Sequence, residues 1–463
     1  MINAPLVWIF FPGVLAAVLL GFLNYPRLVR WIGTGAAFSL AGLALILPVG
    51  RPIRLFLITG EISPVFSAVG RRLILENDDR GLIFLVFVIY GVWNLITEHR
   101  YMSIRVVPLG MMGAGLTLAA LAVEPLFYGA VFLAFLALLY ILVLTPPPKP
   151  ATQGVLRFLI YQVLGTMLIL FAAWMFSWVD LSAVDQVLLI RALIILGVGF
   201  TFLLAVFPFS SWIFMLAEEN HPFLTAFVLN TYLTGVLLFG FRFLSSAGWL
   251  AELIDIQGVI RSAGVLMMLL GGFSAFFSNH LGKILGFSVT VEIGRSLLAV
   301  SLLQEGFPLF LHLVIVQTLA LSVWALSLTM LASVSENLNY SSLVGAARQW
   351  PILFLGSCVG QFTLAGLPLL AGFPPVWTLA ESLRTISPFA AGSVLIASAG
   401  LLAGAFRSAV FLLGSAGGED VLVVSTRYTR SVIAVGLLVS AVLGLVSGIL
   451  DPVLAYLSGV FLP

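Results

Sequence analysis

Apolar runs of about twenty residues, separated by short polar punctuation, cover most of the chain, and that is the length that crosses a bilayer core as a helix. They fall near 4–22, 28–48, 82–97, 105–122, 126–145, 156–178, 188–214, 222–246, 260–278, 284–304, 307–333, 351–380, 389–414 and 431–450. The runs are greasy all round rather than striped, so each predicts a helix surrounded by apolar material. Of the 463 residues, 61% are hydrophobic and 9% charged, against roughly 25% charged in ordinary soluble domains. A soluble core holding a dozen such helices is excluded at this size. The pattern predicts an all-α polytopic membrane protein of about 14 transmembrane helices, with 1–463 forming a single transmembrane domain.

Few stretches depart from this pattern. The longest polar interval, 51–81, alternates Ile-Arg-Leu-Phe-Leu-Ile and Arg-Leu-Ile-Leu around "GEISP", which predicts an extramembrane β-hairpin on the membrane surface. "TPPPKPATQ" reads as a proline-stiffened linker. With the N-terminus outside, the inside loops hold Arg27, Arg30, Arg100, Arg105, Lys149, Arg157, Lys283, Arg348, Arg427 and Arg430. The short outside loops then hold mainly Arg261 and Arg384, so both termini are expected outside, in a bacterial-type inner (cytoplasmic) membrane. The 51–81 interval, with Arg51, Arg54, Arg71, Arg72 and Arg80, is the exception. The opening run lacks a basic n-region and leads directly into a second span, so no cleavable signal is expected. The net charge of +2 is scattered, which gives no nucleic-acid footprint. Cys358, the single cysteine, reads as a small buried hydrophobe.

Two spans are interrupted. In "GFTFLLAVFPFSSWIFMLAEENHP", Pro208 removes a backbone donor and Ser210-Ser211 can satisfy freed carbonyls. In "GQFTLAGLPLLAGFPPVW", Gly366, Pro368, Gly372, Pro374 and Pro375 break a second run. Broken helices at membrane depth are tolerated where they line a cavity or pack in protein, and a pair of them points to an ion or substrate pathway built on repeats. A packing kink is the plainer alternative for each. One span also carries two charges, Glu292 and Arg295, which share a helix face.

At these segments the chain resembles the antiporter-like membrane subunits of respiratory complex I, a family shared with Mrp-type cation/proton antiporters and membrane-bound hydrogenases. "GFTFLLAVFPFSSW" is similar to the family's broken seventh helix, and "HPFLTAFVLNTYLTGVLLFGFRF" to its eighth. "NHLGKILGFSVTVEIGRSLLAVSL" is similar to the loop and tenth helix, and "FTLAGLPLLAGF" to the broken twelfth. The resemblance runs from about residue 80 to 450. It implies two inverted five-helix repeats, 105–246 and 260–414, each with one broken helix. It also implies a hydrated axis of lysines and a glutamate that conducts protons or monovalent cations.

This chain departs from that axis. The family's seventh-helix lysine falls at Leu203, the eighth-helix lysine at Leu233 or Thr234, the twelfth-helix cation near Val376 and the fifth-helix glutamate near Leu133. Lys149 and Lys283 are the only lysines, and neither is at a span centre. A relay needs groups that change charge near neutral pH, which a desolvated lysine does and leucine cannot. Glu292 is then either a relay carboxyl or a fixed partner of Arg295 that locks helix packing. Other pathway candidates are Glu218, Glu219 and His221, whose plainer reading is a solvated loop; Glu381, which reads equally as an exposed pair with Arg384; and His312 with Gln317, a polar bridge or a hydrogen-bonded core pair. Arg242 is expected to snorkel, and His280 and Lys283 to lie at the interface. No nucleotide, flavin, zinc or cluster motif is present, so no cofactor or redox site is expected in the chain. The expectation is a non-catalytic membrane-arm subunit working with other membrane subunits in the lipid bilayer. The alternatives are a component of an ion-coupled secondary transporter and a structural anchor for a soluble catalytic partner.

Overall fold

The computed structural model describes residues 2–55, 58–68, 70–98, 100–146, 150–177, 186–246, 255–333, 335, 337–414 and 427–461; Lys149 of the sequence argument lies outside them. Among the described residues, seventeen α-helices of nine residues or more carry the chain. They are α1 (Phe11–Gly21), α2 (Pro26–Ile46), α3 (Arg80–Ile96), α4 (Val106–Ala122), α5 (Gly129–Leu144), α6 (Gln153–Phe176), α7 (Gln186–Leu203), α8 (Ser211–Glu219) and α9 (Pro222–Ser246). There follow α10 (Ile256–Phe277), α11 (Leu281–Val300), α12 (Gly306–Ala332), α13 (Pro351–Ala365), α14 (Phe373–Arg384), α15 (Pro388–Leu413), α16 (Arg427–Leu445) and α17 (Asp451–Phe461). Among the described residues, nine helices are long and apolar enough to cross a membrane. The protein is an integral, multi-pass membrane protein.

Local chemistry sets the helix starts. Thr152, Asp255, His280 and Ser387 are N-caps whose side chains accept the amides of Val155, Gly258, Lys283 and Ala390. Proline opens α2, α9, α13 and α15, where its missing donor costs nothing. Four helix ends are closed by arginines from elsewhere in the chain. Arg30 donates to the Thr97 carbonyl after α3 (3.3 Å), and Arg80 to the Ala44 (2.7 Å) and Leu45 carbonyls of α2. Arg407 donates to the Ser278 carbonyl after α10, and Arg295 to the Leu364 carbonyl of α13 (2.6 Å). The last carbonyls of a helix lack partners and form its negative end, so a guanidinium serves them better than a neutral donor.

The 51–81 interval holds four strands, two antiparallel hairpins rather than one. Strands β2 (Pro52–Leu55) and β3 (Ile58–Ser63) pair, with β1 (Ile2–Asn3) parallel on the other edge of β3. Strands β4 (Val65–Ala68) and β5 (Arg71–Ile74) pair, and β6 (Val123–Glu124), after α4, adds to β5. The alternation was readable; the recruitment of residues 2–3 and 123–124 is tertiary.

Burial divides the helices. The apolar window of α9 is 94% buried and that of α12 78%, against 39% for α6 and α10 and 22% for α16. So α9 and α12, with α11 between them, form the centre, and the outer helices turn large apolar side chains such as Phe273, Phe389 and Val410 outward. That distribution is what a lipid environment selects.

Candidate functional site

The second broken helix turns at Gly366. The amide of Leu367 reaches the Phe362 carbonyl (3.0 Å) and that of Gly366 reaches Thr363 (3.0 Å), with Gly366 at φ +77°: a left-handed C-cap that leaves the Leu364 carbonyl without a backbone partner. The chain then doubles back so closely that a Cβ on Gly372 would meet the Thr363 oxygen at 1.7 Å. Glycine is required at both positions, for different reasons.

Arg295 fills the vacancy. One Nη1 hydrogen goes to the Leu364 carbonyl and the other to Glu292 Oε1, while Nη2 donates to Ser398 Oγ on α15 (2.8 Å). The Arg295 and Glu292 side chains are 1% and 3% exposed. A guanidinium so held has its charge compensated and three of its five N–H donors used, with Nε unpartnered among the described residues. Val376 packs beside Gly366, and Pro374 lies in the first turn of α14.

The first break has the same hydrogen-bond pattern. The Val206 amide reaches the Thr201 carbonyl (2.9 Å) and the Ala205 amide reaches Phe202 (3.4 Å), with Ala205 at φ 54° where the other break has glycine. The turn therefore comes at 204–206, ahead of Pro208, which is exposed. Leu203 stands where Leu364 stands in the second break, and among the described residues no side chain donates to its carbonyl. Leu203 and Leu133 are fully buried, Leu233 and Thr234 nearly so. Apart from the Thr234 hydroxyl, these buried positions are apolar.

Beside them lies a polar network that sequence reasoning missed. Consecutive residues of α9 point in three directions, about 100° apart at 3.6 residues per turn. Asn230 accepts from Trp93 on α3 (2.9 Å) and Thr318 on α12 (3.1 Å). Thr231 contacts Tyr140 on α5 (2.7 Å), which contacts Tyr90 on α3 (2.6 Å), and Tyr90 contacts Thr117 on α4 (3.3 Å). Tyr232 donates to Gln162 on α6 (2.8 Å). The signal was the run Asn-Thr-Tyr in the middle of a greasy span; its partners are single polar residues on other helices that only packing brings together.

The remaining candidates separate. Glu218 pairs with Lys283 (2.8 Å), Glu219 accepts the Gly154 amide at the start of α6 (2.7 Å), and His221 Nε2 lies 2.9 Å from the Tyr101 carbonyl. The three face different elements rather than one mouth. His280 receives the Lys283 amide (3.3 Å); burial pulls its imidazole below the ordinary 6.5, with Glu218 opposing and Lys283 adding to the fall. Glu381 and Arg384 are both exposed, with no ion pair between them among the described residues. His312 and Gln317 are buried on α12. Arg242 does not simply snorkel: it pairs with Asp79 (2.6 Å), tying the end of α9 to the start of α3.

This fold is that of the antiporter-like membrane subunits. The chain superposes over 99% of its length on a chain of the Mrp complex of Dietzia sp., at TM-score 0.77, 14% identity and 97% of that chain. It covers 99% of itself and 99% of a chain of respiratory complex I from Thermus thermophilus, at TM-score 0.74 and 19% identity. In sequence it is similar to NADH-quinone oxidoreductase subunit N 2 of Syntrophobacter fumaroxidans, 27% identical over 180 residues, which are 38% of this chain and 37% of that protein. The chain spans about two fifths of the length of the curated relatives it matches first. No family model matches. The resemblance read from the broken helices thus holds in both fold and sequence.

Proposed function

We propose that the chain is a membrane-arm subunit of a complex I-like assembly, of the proton-translocating antiporter type, in which the ion axis has become a structural lock. Its 14 membrane passes form two inverted five-helix units, 105–246 and 260–414, each centred on one break. The matching hydrogen-bond patterns at Ala205 and Gly366 support that repeat. Both termini face outside an inner membrane, and the partners are other membrane subunits and lipid.

The observation that carries the lock is Arg295. A guanidinium stays protonated in practically any protein setting, so a break capped by one cannot pass a proton by titrating there. Leu133, Leu203, Leu233 and Val376 leave the family's other positions without a titratable group, and Thr234 adds only a hydroxyl. Glu292 serves to compensate and aim Arg295. The test is proton uptake into proteoliposomes by the assembled complex. Glu292→Gln is expected to leave uptake unchanged once assembly is matched; loss of uptake from a fully assembled complex would replace the lock with a carboxylate relay.

The likeness to a chain of an Mrp complex supports a second reading, a component of an ion-coupled secondary transporter. Chains that co-purify with this one separate the two: soluble redox subunits support the first reading, and a purely membrane assembly the second.

A further inference from the structure

We propose that α11 is a strut that couples the two breaks, fixed to the first through Lys283–Glu218 and to the second through Arg295–Leu364. The inference holds whichever assembly the chain serves.

At its start, α11 lies flush against α8, the helix that resumes after the first break. A Cβ on Gly282 would meet the Ala217 carbonyl at 2.4 Å, and one on Gly286 would sit 3.0 Å from Phe214 Cα. Phe214 and Phe287 pack at 5.4 Å, and Lys283 Nζ closes the contact on Glu218 Oε1 at 2.8 Å. Any shift of α8 against α7 therefore has to move α11 with it, because close-packed backbones leave no slack.

Twelve residues on, about 18 Å along the axis at 1.5 Å per residue, Arg295 holds the last free carbonyl turn of α13. Between these points the strut has no give. Every residue from Ser288 to Val300 is buried, and Gly294 sits so close to Gly264 on α10 that an added Cβ would meet its carbonyl at 2.7 Å. The Ser398 contact extends the same anchor to α15. The two breaks are thus joined by one rigid helix with a polar anchor at each attachment.

The Lys283–Glu218 pair is the handle for testing this, since its side chains are 36% and 39% exposed and its loss leaves the core intact. Hydrogen exchange would be followed by mass spectrometry on the full chain in lipid nanodiscs. Lys283→Met or Glu218→Gln is expected to speed exchange at amides 362–367 by roughly threefold or more, although neither residue touches that segment. The charge-swapped double variant, Glu218→Lys with Lys283→Glu, should restore the native rate there. Arg295→Met should speed exchange at 362–367 and also across α8. Acceleration confined to 211–221 and 281–287 in the Lys283 and Glu218 variants would overturn the strut. So would a swapped variant that leaves 362–367 fast. If Arg295→Met does not fold, the exposed-pair variants decide the question alone.

Discussion

Arg295 acts as a helix cap delivered from another helix, and its neighbour makes that role affordable in a low-dielectric core. Removing one member of a buried pair strands the other charge, at a cost of about 3–5 kcal/mol, while replacing both with apolar groups is often neutral. Arg295→Met should therefore lower the thermal midpoint of the detergent-solubilised chain sharply. The double replacement Glu292→Leu with Arg295→Met should recover part of the loss, although the Leu364 carbonyl stays unpaired. Size-exclusion profiles after stepwise heating would read both, and a double variant no better than the single would count against the pairing. His280 gives a pH dependence of known sign. Its folded pKa lies below the unfolded 6.5, so its cap contributes fully above about pH 6.5 and is lost as pH falls through the lower folded value. His280→Asn keeps an acceptor that does not titrate there and should flatten the midpoint-versus-pH curve in that acidic window.

At the scale of elements, the spans and both interruptions were legible because apolar length and Gly/Pro punctuation are local signals. The exact turn was not. Pro208 drew attention, but the first helix ends at a left-handed alanine three residues earlier, a conformation that alanine's own preference argues against. Ala205→Gly should stabilise the chain by about 0.5–1 kcal/mol by relieving it. Gly366→Ala should cost about 1–2 kcal/mol, purely from backbone strain, because its Cβ would stand 3.4 Å from Val376, an ordinary contact. The same melting measurement checks both signs. The α9 hub was illegible for a different reason: hydrogen bonds between Asn230, Thr231, Tyr232 and four other helices depend on packing geometry, and no spacing in the chain encodes them. Asn230→Leu, which strips the acceptor from Trp93 and Thr318, should cost about 1–3 kcal/mol on the same assay.

At the scale of the whole molecule, helix-ending arginines replace the picture of cations scattered in loops. Arg30, Arg80, Arg295 and Arg407 hold carbonyls of helices they do not belong to, so Arg30, used as an orientation marker, and Arg80, set aside from that count, are also joints. Of the candidate site, the two breaks and the Glu292–Arg295 pair were legible in the sequence; the α9 hub was not, because hydroxyl and amide groups carry no sequence signature of their own at this spacing.

The neutral α9 hub and the compensated Glu292–Arg295 pair have an electrical consequence. A charge carried across the membrane field exchanges about 2.3 kcal/mol with it per 100 mV, and that exchange is how a voltage biases a membrane protein's shape. The buried centre described here offers the field no net charge to pull on. Its conformational balance should be indifferent to the membrane potential: exchange rates at both breaks should stay the same in liposomes held with or without a potassium diffusion potential. Whatever force reaches these helices would then have to arrive through contact with what packs against them.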